Sequence, residues 1–139
     1  MDLEISQRDR EGVTVLDLKG RLVVGEGVTS LRERIKSLAS AGNKMLLLNL
    51  AGVDYIDSTG LGSMVVCLST AKKEGGLVKL LNLTKRNIEL LVLTKLTTVF
   101  EVFDDEQQAV SSFFPNREIR RFDILSFVKE QEGKKDGES

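Results

Sequence analysis

The sequence predicts an α/β domain whose mixed, mostly parallel sheet begins with an antiparallel hairpin. Two short segments near the N-terminus, residues 3–9 and 13–20, are β-branched or alternate between polar and apolar side chains. Beyond them, apolar runs typical of buried strands alternate with segments of helical periodicity, which is the pattern of a parallel sheet with right-handed crossovers. The 139 residues are 41% hydrophobic and only 5% aromatic, which suits one domain with an aliphatic core. The predicted order is ββαβαβαβα.

The elements follow in order from the spacing of apolar residues. The break "REG" at 10–12 separates the two hairpin strands. Apolar side chains then recur at helical intervals from Val28 to Leu38, and Gly42 ends this amphipathic helix. Residues 44–50, "KMLLLNL", form a nearly continuous apolar run, as in a strand covered on both faces. The later elements are predicted as helix 61–76, strand 77–83, helix 85–96, strand 98–103 and helix 104–114.

The C-terminal part of the chain is expected to add to this domain, which spans residues 1–114. Pro115, the only proline, marks the end of the compact unit. An extension at 115–131 contains apolar residues that we expect to pack on or near the domain and to cover a sheet edge. A homodimer contact is the alternative role for these residues. Residues 132–139, "EGKKDGES", are typical of a solvated, disordered tail.

Composition narrows the class of protein. Twenty basic and twenty-one acidic residues leave a net charge of −1, which argues against nucleic-acid binding because such binding normally needs a basic face. The chain has no histidine, which excludes Ser-His-Asp catalysis, Cys-His catalysis and histidine-containing zinc sites. We therefore expect a non-enzymatic protein without metal or cofactor. Cys67 is the only cysteine, and neither a secretory signal nor an apolar stretch of membrane-spanning length is visible, which favours a cytoplasmic protein.

The stretch "VDYIDSTGLG" at 53–62 is the strongest candidate for a functional site. It places Asp57 and Ser58 just past the carboxyl end of a buried strand, at the edge of an α/β sheet where ligands gather. One interpretation is purely structural: a helix cap, with Gly60 and Gly62 serving a tight turn and close packing. The other is a serine that another protein phosphorylates, since the amides of a helix N-terminus tolerate an added phosphate.

Three further interpretations fit this stretch less well. A phosphate-binding loop needs a longer glycine-rich run and a Lys-Ser/Thr ending. A phosphorylated aspartate at Asp57 needs a metal-holding acidic pair at another strand end, and "DLKG" at 17–20 offers none. A carrier domain with an Asp-Ser pair is all-helical, whereas residues 44–50 are strand-like. On the residues alone, the helix cap and the substrate serine both remain open.

A family resemblance bears on this choice. The segment "YIDSTGLGSMV" (55–65), preceded by "LLLNLAGV" (46–53) and by "GRL" (20–22), resembles the STAS domain of bacterial anti-sigma-factor antagonists. The resemblance runs from about residue 3 to 114 and includes the ββαβαβαβα order. An Asp-Ser-(Ser/Thr)-Gly-(Leu/Val) motif after an aliphatic strand is fairly specific to that setting.

The resemblance implies a partner-switching function. In that family, the unphosphorylated antagonist binds an anti-sigma factor that is also a serine kinase, and this releases the sigma factor. The kinase then phosphorylates the first hydroxyl after the motif's aspartate, and a PP2C-type phosphatase removes the phosphate. Carried over by position, Ser58 is the phosphate acceptor and Asp57 and Thr59 are its neighbours. The residues Gly60, Leu61 and Gly62 begin the helix that faces the kinase.

One departure from the family pattern lies upstream of the motif. Many antagonists carry an acidic residue directly after "G-x-L", where this chain has Val23. Glu26, three residues further on, is the candidate to take its place, and we count both residues among the partner-binding positions. The alternative function is a STAS interaction or scaffold module, in a stressosome-like or transport assembly, in which Ser58 is not phosphorylated.

Overall fold

The computed structural model describes residues 3–119 and 122–130, and its element order confirms the predicted ββαβαβαβα arrangement. The strands are β1 (Leu3–Arg10), β2 (Val13–Leu22), β3 (Met45–Ile56), β4 (Leu77–Leu81) and β5 (Val102–Phe103). The helices are α1 (Glu26–Ser40), α2 (Ser58–Lys73), α3 (Lys85–Leu93) and α4 (Glu106–Ser111).

The strands form one five-stranded sheet in the order β1-β2-β3-β4-β5. Strands β1 and β2 pair antiparallel, with Leu3 opposite Gly20 and Arg10 opposite Val13. The remaining neighbours pair in parallel. The predicted mixed, mostly parallel sheet with an N-terminal hairpin is therefore confirmed. Because β2, β3 and β4 run in the same direction, their carboxyl ends meet at one edge of the sheet.

Two strands differ from the prediction by more than two residues. Strand β3 was expected to end at residue 50 but continues to Ile56, because β2 pairs with it as far as Leu22. Gly52 permits this pairing, since a Cβ there would lie 2.8 Å from the carbonyl oxygen of Leu18. Strand β5 is shorter than predicted, because the chain before it turns at 97–100 instead of extending. The first outcome depends on pairing between strands that are far apart in sequence. The second reflects a local turn, in which the N–H groups of Val99 and Phe100 donate to the carbonyl of Leu96.

The two faces of the sheet carry separate apolar clusters, as strand alternation requires. On β2, Val15 points to one face and Leu16 to the other. The larger cluster joins the sheet to α1, α2 and α3 and includes Leu16, Ile35, Leu48, Met64 and Leu91. The smaller cluster lies under α4 and consists of Val13, Val15, Leu47, Leu81, Phe103, Ala109 and Val110. Helix α2, which follows β3, is packed against the sheet through the larger cluster, to which it contributes Met64.

The C-terminal extension contacts the domain along strand β5. The backbone N–H of Phe122 donates to the carbonyl of Val102 at 3.1 Å, and residues 124–130 are helical. Phe122, Ile124 and Phe127 pack against the larger apolar cluster. A dimer contact through this extension stays a prediction. The predicted tail at 132–139 lies outside the described residues.

An ionic network ties the N-terminal hairpin to α4. Arg8 on β1 donates to Asp17 on β2, with Nε 2.7 Å from Oδ2, and also to Glu106 at the start of α4. The guanidinium of Arg8 lowers the pKa of both carboxyl groups. The network therefore links β1, β2 and α4 through their side chains.

Candidate functional site

The Asp57–Ser58 junction lies at the carboxyl edge of the sheet, where β3 ends at Ile56 and α2 begins at Ser58. The backbone N–H of Asp57 donates to the carbonyl of Leu22 at 3.1 Å, which ties the junction to the end of β2. Helix α2 begins three residues earlier than the apolar pattern predicted, because Asp57 itself supplies the cap. The serine and the threonine of the motif therefore occupy the first helical turn.

Asp57 is an anchored helix cap. Its Oδ1 accepts from the N–H of Gly60 at 2.7 Å, and its Oδ2 accepts from the N–H of Val24 at 3.0 Å. These amide bonds, that of Gly60 first, lower the pKa of the Asp57 carboxyl below its ordinary value. Asp57 is therefore held as an anion at neutral pH, which suits a structural clamp and not a proton carrier. The helix-cap interpretation of this residue is correct.

The two glycines of the motif differ in what the fold requires of them. A Cβ on Gly60 would lie 1.9 Å from the carbonyl oxygen of Leu22, so only glycine lets α2 approach the end of β2 this closely. Gly62 is exposed, and a Cβ there would have no atom within 4 Å. The expectation that Gly62 serves close packing inside the domain is therefore wrong. Leu61, between them, points into the apolar core.

Ser58 and Thr59 are both exposed on the first turn of α2. The chain contains no histidine to act as a base toward the serine hydroxyl. No cluster of potential metal ligands occurs within residues 3–119 and 122–130. The position of Ser58 on the exposed first turn leaves this residue accessible from solution.

The loop between β2 and α1 lies against this junction. Val23 is half-buried and Glu26 is exposed in the first turn of α1. Val24 is 69% exposed, and its backbone N–H donates to Oδ2 of Asp57. No sequence signal marks Val24, because its partner is 33 residues away along the chain.

Helix α2 also presents an exposed stripe beyond Ser58. Gly62 and Val66 follow Ser58 at intervals of four residues and are exposed on the same helix face, Val66 to 38%. Val66 is therefore an apolar side chain of α2 that the domain leaves partly open to solvent. Cys67 points the other way; burial raises the pKa of its thiol to about 12, which makes it an inert core residue.

A mixed five-stranded sheet whose third strand is followed by an Asp-capped helix with an exposed serine and threonine in its first turn is the arrangement of the STAS domain class. The family model described as "STAS domain" matches residues 4–109. The anti-sigma-B factor antagonist of Bacillus subtilis (strain 168) is 32% identical over 102 residues, which cover 73% of this chain and 92% of that protein. The chain therefore belongs to the STAS-domain family of anti-sigma factor antagonists. These are regulators and not enzymes, as the missing histidine led us to expect.

Solved structures agree on the fold. An anti-sigma factor antagonist from Mycobacterium paratuberculosis superposes with a TM-score of 0.67 at 19% identity, covering 79% of this chain and 92% of that one. The Bacillus cell fate determinant SpoIIAA in its phosphorylated form gives a TM-score of 0.62 at 18% identity, covering 79% and 99%. The family match ends at residue 109, so the C-terminal extension lies beyond it.

Within residues 3–119 and 122–130, no helix is long and apolar enough to cross a membrane.

Proposed function

We propose that this protein releases a sigma factor by binding, in its unphosphorylated form, an anti-sigma factor with serine kinase activity. Phosphorylation of Ser58 by that kinase ends the complex, and a PP2C-type phosphatase restores binding. The observation that carries this proposal is the exposed hydroxyl of Ser58 on the first turn of α2. It lies at the motif position in a chain whose family is that of the antagonists.

Electrostatics support Ser58 as an off-switch. A phosphoserine carries about −1.5 to −2 charges at neutral pH. The amides of Gly60 and Val24 already bind the carboxylate of Asp57, so the phosphate would add to an existing negative charge. A partner surface that fits the neutral serine would then face repulsion and the cost of desolvating a phosphate. Phosphorylation would end binding without refolding the domain, because the bonds from Gly60 and Val24 to Asp57 still stabilise the start of α2.

The exposed stripe of α2 supports a partner surface beside Ser58. Glycine inside a helix costs about 0.5–1 kcal/mol relative to alanine, yet the packing of this domain does not require glycine at position 62. A partner that approaches α2 closely at position 62 would require glycine there, because glycine has no side chain to keep the partner away. Val66, one turn further on, adds exposed apolar area on the same face. Asp57, Gly60 and Leu61 serve this surface by positioning it, while Ser58, Thr59 and Gly62 are open to contact.

A second candidate function is a STAS scaffold module in which Ser58 stays unmodified. The observation that favours it is the β2–α1 loop, where Val23 stands in place of the usual acid and Glu26 is exposed at the start of α1. A loop of this composition suits a partner other than the expected kinase.

Phosphorylation with intact-mass detection separates the two functions. The full chain is incubated with the cognate anti-sigma factor and ATP, alongside Ser58→Ala and the matched control Thr59→Ala. We expect one added phosphate on the wild type and on Thr59→Ala, and none on Ser58→Ala. A phosphate that depends on Thr59, or a wild type that binds the anti-sigma factor but gains no phosphate, would reject the switch and favour the scaffold.

A further inference from the structure

We propose that Asp57 is a positioning residue that fixes the β2–α1 loop beside Ser58, so that Val24 becomes part of the partner-binding surface and helps to select the partner. The identity of the partner rests on the proposed function. The positioning role itself rests on the contacts of the Asp57 carboxylate alone.

The carboxylate of Asp57 makes two bonds with different consequences. The bond from Gly60 caps α2, as an Asp at this position ordinarily does. The bond from Val24 reaches a different element and joins the loop to the serine-bearing turn. Asp57 therefore links the two segments that border Ser58.

The loop depends on this link for its position. Gly25 has a φ of 141°, a value that side-chain-bearing residues rarely adopt, and it begins α1 without a side-chain cap. Val24, directly before it, is mostly exposed, so little packing holds its side chain in place. A loop with a glycine pivot and few packed side chains is mobile unless a specific bond restrains it. The bond from the N–H of Val24 to Asp57 supplies that restraint.

The restrained loop presents an apolar side chain where a partner must come. A kinase that reaches the hydroxyl of Ser58 also covers the residues bonded to its neighbour Asp57, and Val24 is one of them. Burial of a valine side chain in a contact is worth about tenfold in affinity. Pre-positioning of the loop adds to this, because less conformational entropy is lost on binding. An apolar partner surface is therefore preferred here over a charged one.

The substitution Asp57→Asn separates the two bonds. Asparagine caps helices about as well as aspartate, but its amide nitrogen is a donor and replaces one of the two carboxylate oxygens. Because Gly60 and Val24 donate to different oxygens of Asp57, an asparagine that caps the helix presents no acceptor to the N–H of Val24. Hydrogen exchange of backbone amides, measured by NMR on the full chain, reports both bonds. We expect exchange at Val24 to accelerate by about tenfold in Asp57→Asn, with exchange at Gly60 nearly unchanged. Unchanged exchange at Val24 would overturn the restraint.

A double-mutant cycle tests whether Asp57 acts through Val24. Affinity for the cognate anti-sigma factor is measured for Asp57→Asn, Val24→Ser and the double variant. We expect each single change to weaken binding by roughly five- to tenfold, and the double variant to bind no more than about twofold more weakly than Val24→Ser. The control pair is Asp57→Asn with Val66→Ser, whose effects should multiply, because Val66 lies more than two helical turns along α2 from the Asp57 cap.

Other outcomes are equally informative. Multiplying effects of Asp57→Asn and Val24→Ser would overturn the positioning role in favour of direct contact by Asp57. A Val24→Ser variant with wild-type affinity would overturn the role of Val24. If the wild type does not bind the anti-sigma factor, the proposed function fails and partner selection by Val24 fails with it, while the exchange experiment still decides on the restraint.

Discussion

Gly60 and Gly62 lie two residues apart on α2, and we expect their replacement by alanine to change stability in opposite directions. At Gly60, the new methyl would lie 1.9 Å from the carbonyl oxygen of Leu22 and 2.7 Å from its carbonyl carbon. Both are backbone atoms of a paired strand, so the start of α2 must move. Overpacking of this kind costs typically about 1–3 kcal/mol and sometimes more. Gly60→Ala should therefore be clearly destabilised.

At Gly62, the same substitution meets no atom within 4 Å. The backbone there is helical, so alanine is unstrained and gains its helix propensity, about 0.5–1 kcal/mol. Gly62→Ala should therefore raise the free energy of unfolding by about that amount, which corresponds to a rise of roughly 2–4 °C in Tm. Urea denaturation of both variants and of the wild type measures the two changes.

The same pair of variants also tests the partner surface. Gly62→Ala is expected to weaken binding of the anti-sigma factor although the free protein is more stable, since the added methyl occupies the space of a close approach. A Gly62→Ala protein that is less stable than the wild type, or a Gly60→Ala protein within about 0.5 kcal/mol of it, would refute the packing argument. A Gly62→Ala protein with wild-type affinity for the anti-sigma factor would refute the argument that a partner approaches α2 closely at position 62.

Three further predictions concern charge and burial. Ser58→Asp should weaken binding of the anti-sigma factor at least several-fold in calorimetric titration, whereas Ser58→Ala retains it; equal affinities would refute the electrostatic switch. Arg8 lowers the pKa of Asp17 and Glu106. The stability that these two ion pairs add to the folded protein is therefore complete above the ordinary carboxylate pKa range near pH ~4, and it is lost as the pH falls through the lowered pKa values. Urea denaturation between neutral and acidic pH should show that Arg8→Gln removes part of this acid sensitivity; parallel stability curves for the two proteins would contradict the assignment. The Cys67 thiol, buried and with its pKa raised to about 12, should react with a thiol reagent only after denaturation, and rapid reaction of the native protein would show that α2 opens.

The element order was predictable because periodicity is local. Alternation along β1 and β2, the apolar run of β3 and the helical spacing of α1 each lie within one segment. The boundaries were less predictable. The six residues that prolong β3 beyond residue 50 are in a strand because β2 pairs with four of them. Strand β5 is reduced to two residues because the chain before it turns.

In the candidate site, too, some features were predictable from the sequence and others were not. The motif at 53–62 was recognisable because a capping aspartate, a serine and glycines follow a buried strand directly in sequence. The difference between its two glycines was not, since it depends on how closely the carbonyl of Leu22 approaches α2. The role of Val24 was not predictable from the sequence either, because Val24 belongs to no motif and is identified only by its bond to Asp57.

The sequence by itself determined the order of strands and helices and the position of the Asp57–Ser58 motif between a buried strand and a helix. These follow from periodicity and capping, which act between residues close together in the chain. Only the tertiary structure decided which glycine the fold requires, which loop borders the serine and which side chain that loop presents. Those depend on contacts between β2 and α2, whose residues are far apart in sequence and meet only when the parallel strands align their carboxyl ends.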